Sequence, residues 1–306
     1  MLSSQSIRPE LLNASAYING YSPLIPWANA IGIKPNLVKY ATRLTSSILA
    51  NEYLVNSYYV RDDKEMEWSV RQFSEDAGVI TQSLNNQRDN EELVRISLPD
   101  SAPLQMSVKD AMLRRRSVSQ FTGDAVPLRY LATIARSAAG ISGRATAQLK
   151  SGDAIDLSFN MVSSAGHLYP IDCYFVVLNV AGLEKGIYRY SGRDDVLIKT
   201  GDSGCVAHYC SGLAISENEM KYKRCNYMVL FVAQPWKSMC KYGNRGLRFV
   251  LQEIGSMSQN IHLAHVCLGL GGTDWGGYYE EEVNRVMLFD GVNQSILHMI
   301  LAGIPG

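Results

Sequence analysis

The chain has 306 residues with 29 Lys+Arg against 29 Asp+Glu, so its formal net charge is zero, and 46% of its residues are hydrophobic. That composition builds a full core, and the lack of a basic excess argues against a nucleic-acid binder. No apolar run reaches the ~20 residues of a membrane span and no basic segment leads into an apolar one at the start, so a cytoplasmic protein without membrane association is expected.

Residues 1–35 are irregular, with prolines at Pro9, Pro23, Pro26 and Pro35. From Leu37 a helical stripe runs through Ala41, Leu44 and Ile48. A second helix is predicted over 66–84. The polar run 85–92 has no apolar anchor and reads as a linker. A boundary is placed near residue 100: a mainly helical region over 1–100, a candidate contact for a peptide or partner, and a second domain over 101–306.

Beyond that boundary, residues 108–116 read as a helix ending in three arginines, and 128–139 as a helix stopped by Gly140. Residues 141–160 are small and polar and read as a flexible loop. Residues 173–180 are a run of apolar β-formers, a buried strand, with 186–190 as its hairpin partner and 226–233 as a third strand. The strongest helix covers 244–268. Val250, Ile254, Met257, Ile261, Ala264 and Leu268 recur every three or four residues, one unbroken apolar face, and Gly269 and Gly271 stop it. Residues 280–289 form a short helix with an acidic first turn, and 295–302 a closing strand. Helices and strands mix without strict alternation, which predicts an α+β fold.

The six cysteines form no Cys-x-x-Cys pair and read as thiols in a reducing compartment. His262 and His265 stand three apart on the predicted helix, with Cys267 near; they read as ordinary helix residues, and no metal site is expected. A near-zero net charge gives little repulsion between copies, which favours an oligomer.

Four constellations carry chemistry. Arg114, Arg115, Arg116, Ser117 and Ser119 follow a helix. Arginine forks and serine hydroxyls suit a phosphate, and a solvated helix end with dipole-favoured cations explains them equally well. Ser163, Ser164, Ala165 and Gly166 precede the buried strand. Small residues let backbone groups approach a flat ligand, or simply make a turn. Residues 269–277 form a glycine-rich stretch that includes Gly276 and Gly277. It lacks a P-loop and a dinucleotide fingerprint, and it can pack against a cofactor ring or serve as loop punctuation. Lys241 and Tyr242 stand side by side before the long helix. Adjacent lysine and tyrosine are common by chance; in a buried site such a pair can supply a general base or acid.

The order of these segments resembles the SagB-type dehydrogenases of the nitroreductase-like flavoprotein superfamily, which form thiazoles and oxazoles in peptide-modifying synthetases. An Arg-Arg-Ser-x-x-x-Phe segment comes first, then Ser-Ala-Gly-x-Leu-Tyr-Pro, Lys-Tyr-Gly-x-Arg-Gly and Glu-x-Gly-x-x-x-Gln-Asn, and last the glycine-rich stretch. The resemblance covers about residues 106–306. It implies an α+β fold with a mixed sheet flanked by helices, FMN as cofactor, a homodimer with the flavin at the interface, and cyclodehydratase subunits and a precursor peptide as partners. The implied reaction is oxidation of peptide azolines to azoles. By motif, Arg115, Arg116, Ser117 and Ser119 fall at the flavin phosphate and ribityl chain. Ser163, Ser164, Ala165, Gly166, Gly276 and Gly277 fall at the flavin ring, and Lys241 and Tyr242 at the catalytic pair. The chain departs from the pattern at Ser119, where an arginine is usual, at Ser163, usually proline, and at His167, usually glycine. The alternatives are an NAD(P)H-dependent nitroreductase-type enzyme and a non-catalytic scaffold subunit.

Overall fold

The computed structural model describes residues 53, 54, 56–59, 61, 63–75, 93–148, 152, 154–214 and 224–306. The stripe expected from Leu37 and the linker over 85–92 lie outside these residues. The chain divides into two units, Met1–Val70 with Tyr242–Arg245, and Arg71–Lys241 with Gly246–Gly306. In the first, Arg245 donates to the Ser57 carbonyl at 3.3 Å and the Ser57 hydroxyl to that of Leu54 at 3.0 Å. Among the described residues no helix is long and apolar enough to cross a membrane.

The elements in chain order are α1 (Lys64–Glu75), β1 (Arg95–Ser97), α2 (Val108–Arg114), β2 (Val126–Pro127), α3 (Leu128–Ala139), β3 (Ile141–Gln148) and β4 (Ala154–Asn160). Then follow β5 (Ile171–Val177), β6 (Val180–Ala181), β7 (Gly186–Ser191), β8 (Val196–Gly201), α4 (Ser203–Ser211), β9 (Tyr227–Ala233) and α5 (Pro235–Tyr242). The chain closes with α6 (Gly246–Cys267), β10 (Gly271–Trp275), α7 (Glu280–Val286) and β11 (Ser295–Gly303).

Seven strands form one sheet in the order β1-β8-β7-β5-β9-β11-β10, with every pairing antiparallel. The fold is α+β, as expected, although the expected mixed sheet is antiparallel; the parallel pairing β2–β6 stands apart from it. The continuous apolar runs of β5 and β9 have a simple cause: both sheet faces are covered. Phe175, Val229 and Phe231 point to one face, under α3 and α6, while Tyr174, Val176, Met228 and Leu230 point to the other, under α4 and α7. Val250, Ile254, Met257, Ile261 and Ala264 of α6 enter the first core as their spacing predicts. Each large side chain so buried contributes about 1.5–3 kcal/mol. Gly140 caps α3 because a Cβ there would lie 2.5 Å from the Arg136 carbonyl oxygen.

Two readings need correction. Residues 141–148 and 154–160 are not loop: β3 and β4 pair antiparallel as a separate two-stranded sheet. Ile155, Leu157 and Phe159 alternate along β4, a period-two signal masked by the small residues of β3. The glycine-rich stretch is not all loop either, since Gly271–Trp275 is an edge strand paired with β11. Its glycines answer crowding: a Cβ on Gly271 would meet the Val118 side chain at 2.5 Å, and one on Gly272 would meet Ile300 at 3.0 Å.

Candidate active site

The arginine segment leaves α2 in an extended path beside β10. The Val118 N–H donates to the Gly272 carbonyl at 3.0 Å, and Phe121 is buried. This path places Arg115 and Ser117 at a cleft of ≈ 680 Å³, whose other walls are α6, Asp274 and His298. Arg116 turns away: its Nη1 donates to the carbonyls of Leu113 at 2.9 Å and Arg115 at 2.7 Å, closing the end of α2. Ser119 is exposed and does not line the cleft.

A carboxylate forms part of this cleft. Asp274 accepts hydrogen bonds from Ser258 Oγ (2.7 Å), His262 Nε2 (2.9 Å) and His298 Nε2 (2.7 Å). Burial alone would raise its pKa, but these three donors outweigh burial and hold the carboxyl well below the usual range. Gly255 and Gly276 have open space where a Cβ would be, so backbone is bare there, whereas a Cβ on Gly277 would lie 3.0 Å from the Trp275 indole. Ser258, His262, Asp274 and His298 were not singled out as a group from the sequence. The signal for two of them was the four-residue spacing of Ser258 and His262, which puts both on one face of a helix.

The second set of residues lies at the turn before β5. Ser164 accepts the Tyr169 N–H at 2.9 Å, and the Tyr169 hydroxyl accepts the Asn160 N–H at 3.1 Å, tying the turn to β4. Gly166, His167 and Tyr169 all have positive φ, at 66°, 65° and 43°. The turn therefore suits glycine at 167, where the resemblance implies one and this chain has histidine. Ser163, Ala165 and Gly166 belong to the same turn. It closes one end of a cavity of ≈ 620 Å³, whose other walls include β4, Tyr190 and Lys237.

Beneath the turn lies Glu253 of α6, only 6% exposed. Burial pushes its carboxyl up to about 7, against the opposing pull of a Ser164 hydrogen bond and the Lys237 charge. Burial and then the Lys241 charge lower the His167 imidazole. Lys241 itself lies 5.8 Å from the Phe73 ring centroid. That ring favours the ammonium, yet burial moves the amine down from its ordinary value. Burial raises the Tyr242 phenol. Each shift favours the neutral form, and burial is the leading cause of both. Tyr242 follows Lys241 directly and belongs to the other unit.

Arg115 and Ser117 thus share one hollow, while His167 and Lys237 line another; Ser164 and Lys237 act on Glu253, and Lys241 on His167, around the turn. Among the described residues no group of three or more His, Cys, Asp or Glu side chains is arranged to hold a metal ion.

No family model matches the chain. A nitroreductase of Methanocaldococcus jannaschii is 29% identical over 195 residues, 63% of this chain and 89% of that protein. The microcin B17-processing protein McbC of Escherichia coli is 30% identical over 131 residues, 42% of this chain and 47% of McbC, so the match spans about half of that relative. Among solved structures, a nitroreductase from Anabaena variabilis superposes with a TM-score of 0.55 at 19% identity, over 70% of this chain and 42% of that one. A chain of the E. coli microcin synthetase McbBCD complex, with truncated pro-MccB17 bound, superposes with a TM-score of 0.53 at 19% identity, over 84% of this chain and 92% of that one. The fold is nitroreductase-like, and the resemblance to the SagB-type dehydrogenases of that superfamily, first read from the motifs, is borne out by the match to McbC.

Proposed function

We propose that this chain is an FMN-dependent oxidoreductase that oxidises azolines in a precursor peptide to azoles. The observation that carries the proposal is the Lys241 amine, lowered by burial and close enough to the turn for its charge to act on His167. An amine moved toward neutrality is what a C–H proton acceptor needs at ordinary pH.

The residues present fit FMN. Arg115 and Ser117 offer a guanidinium fork and a hydroxyl for the phosphate and ribityl chain. Arg116 braces the end of α2 and so positions Arg115, while Ser119 lies outside the cleft lining. The open faces of Gly255 and Gly276 let a flat ring approach backbone. Gly277 and the Ser163–Gly166 turn complete the ring's surroundings. Bound FMN supplies the two-electron acceptor. The protein's own work is to orient the azoline, take a proton at Lys241 Nζ, and hold the Tyr242 phenol protonated as a hydrogen-bond donor.

Leu251, half exposed, with Gly255 and Gln259 forms an exposed stripe along α6 between its buried faces. Such a stripe suits pairing of two copies, which would set the arginine cleft of one against the turn of the other. McbC's place in a synthetase complex suggests cyclodehydratase subunits as further partners. The test is the mass of a co-expressed precursor peptide, which should fall by two hydrogen atoms for each azole formed. An unchanged mass, with azolines present and FMN bound, would sink the reading.

A second reading has its own support, because the M. jannaschii nitroreductase matches over most of its length. It is reduction of small nitro or quinone compounds with NAD(P)H. Rapid flavin reduction by NAD(P)H without azole formation would favour it. Protein that remains colourless when FMN is offered would favour a scaffold role.

A further inference from the structure

His167 carries two unfavourable features at once. Its φ of 65° lies in the left-handed region, where a side chain costs stability that glycine would not lose. Its Nε2 is sealed from water and has no hydrogen-bond partner among the described residues, whereas buried polar nitrogens are nearly always paired. Ring contacts hold the imidazole instead, edge-on to Phe159 with centroids 4.5 Å apart and to Tyr169 at 5.4 Å. Strain and an unpaired nitrogen on one side chain mark a place where function outweighs stability.

The surroundings indicate what His167 serves. It lines the ≈ 620 Å³ cavity together with Asp156, Ser158 and Asn160 of β4. Burial and the Lys241 charge keep its ring neutral, so one ring nitrogen has a lone pair to offer. Phe159 belongs to the β3–β4 hairpin, a two-stranded sheet outside the seven-stranded one. A hairpin with so little support opens more readily than a core element, and its free strand edges can pair with an extended peptide.

We infer that this cavity receives the peptide substrate as the β3–β4 hairpin opens, and that His167 then recognises it, its uncovered Nε2 accepting a hydrogen bond from a backbone N–H beside the azoline. An azoline ring nitrogen is itself only an acceptor, so the flanking peptide amides are the donors that every such substrate brings. This rests on the azoline reading above and deepens it: it names the peptide backbone, not the ring, as what His167 senses.

The test uses the full chain loaded with FMN and a synthetic azoline-bearing peptide. His167→Gly keeps the turn and removes the imidazole. It should retain FMN, melt no lower than the parent, and raise KM about fivefold or more with a smaller change in kcat. His167→Ala should show the same rise in KM and melt lower, because the left-handed strain remains. In the parent, the NMR signals of labelled His167 nitrogens should move on saturation with peptide. An unchanged KM in His167→Gly, a lower melting temperature in that variant, or an unmoved signal overturns the inference. Failure of the parent to oxidise the azoline sinks the underlying reading instead. An active parent with an unaffected glycine variant sinks only the role of His167.

Discussion

Helix α6 walls the cleft beside Asp274 and, through Glu253, underlies the turn beside His167, and the two places treat polar groups in opposite ways. At the cleft, one carboxylate accepts three hydrogen bonds and stays ionised. Around the turn, burial moves a lysine and a histidine down and a glutamate up to about 7, each toward its neutral form. Satisfied charges hold a ligand in place; groups poised near neutrality exchange protons. On the proposed function, the same helix thus supports a binding wall on one side and a reactive wall on the other.

The largest expected effect lies on the reactive side. Lys241→Ala should lower azole formation at least ~100-fold, the low end for loss of a general base, with FMN still bound. In the parent the rate should rise with pH through the lowered pKa of the amine, and Tyr242→Phe should keep that rising limb, because burial raises the phenol. A rate insensitive to pH, or full activity in Lys241→Ala, would erase the contrast between the two walls.

Next comes the binding side. Arg115→Ala should weaken FMN roughly 10- to 100-fold, as expected for a charged hydrogen bond. Arg116→Ala should weaken it less, since that guanidinium is spent on backbone carbonyls. Fluorescence titration of FMN into stripped protein measures both, and the reverse order would move the phosphate to Arg116.

The smallest effect is one of stability. A carboxyl whose folded pKa is raised contributes stability that is complete below its ordinary value and lost as pH rises through about 7. Glu253 should therefore lower the stability of the fold by on the order of 2 kcal/mol between pH 5 and pH 8. Glu253→Gln should remove that dependence, so denaturant unfolding of the variant should be flatter across the range. A parent curve already flat would mean that Glu253 ionises freely and does not belong with the reactive group.

The sequence was most legible where one physical rule acts alone. The apolar stripe of α6 and the runs in β5 and β9 follow from burial and periodicity, and both went where their patterns pointed. Less legible were elements that depend on distant neighbours. Gly271 and Gly272 lie in a strand because Val118 and Ile300 crowd them, which no local pattern announces. Glu253 was visible as a motif letter, but its burial beneath Ser164 depends on a turn nearly ninety positions earlier in the chain. His262 reads as an ordinary helix residue because its partner, Asp274, lies on β10, where His298 of β11 also reaches it.

The segment that carries Arg115 and Ser117 also runs along the outer side of β10, with Ser117 bridged to Gly272 and Val118 donating to the Gly272 carbonyl. It therefore shields the rim of the seven-stranded sheet, where unpaired backbone would invite strand-to-strand assembly with other molecules. A lesion that lifts this segment would do more than loosen a ligand. It would turn a covered edge into a template for clumping, so poor expression and loss of any ligand held at Arg115 would arrive together.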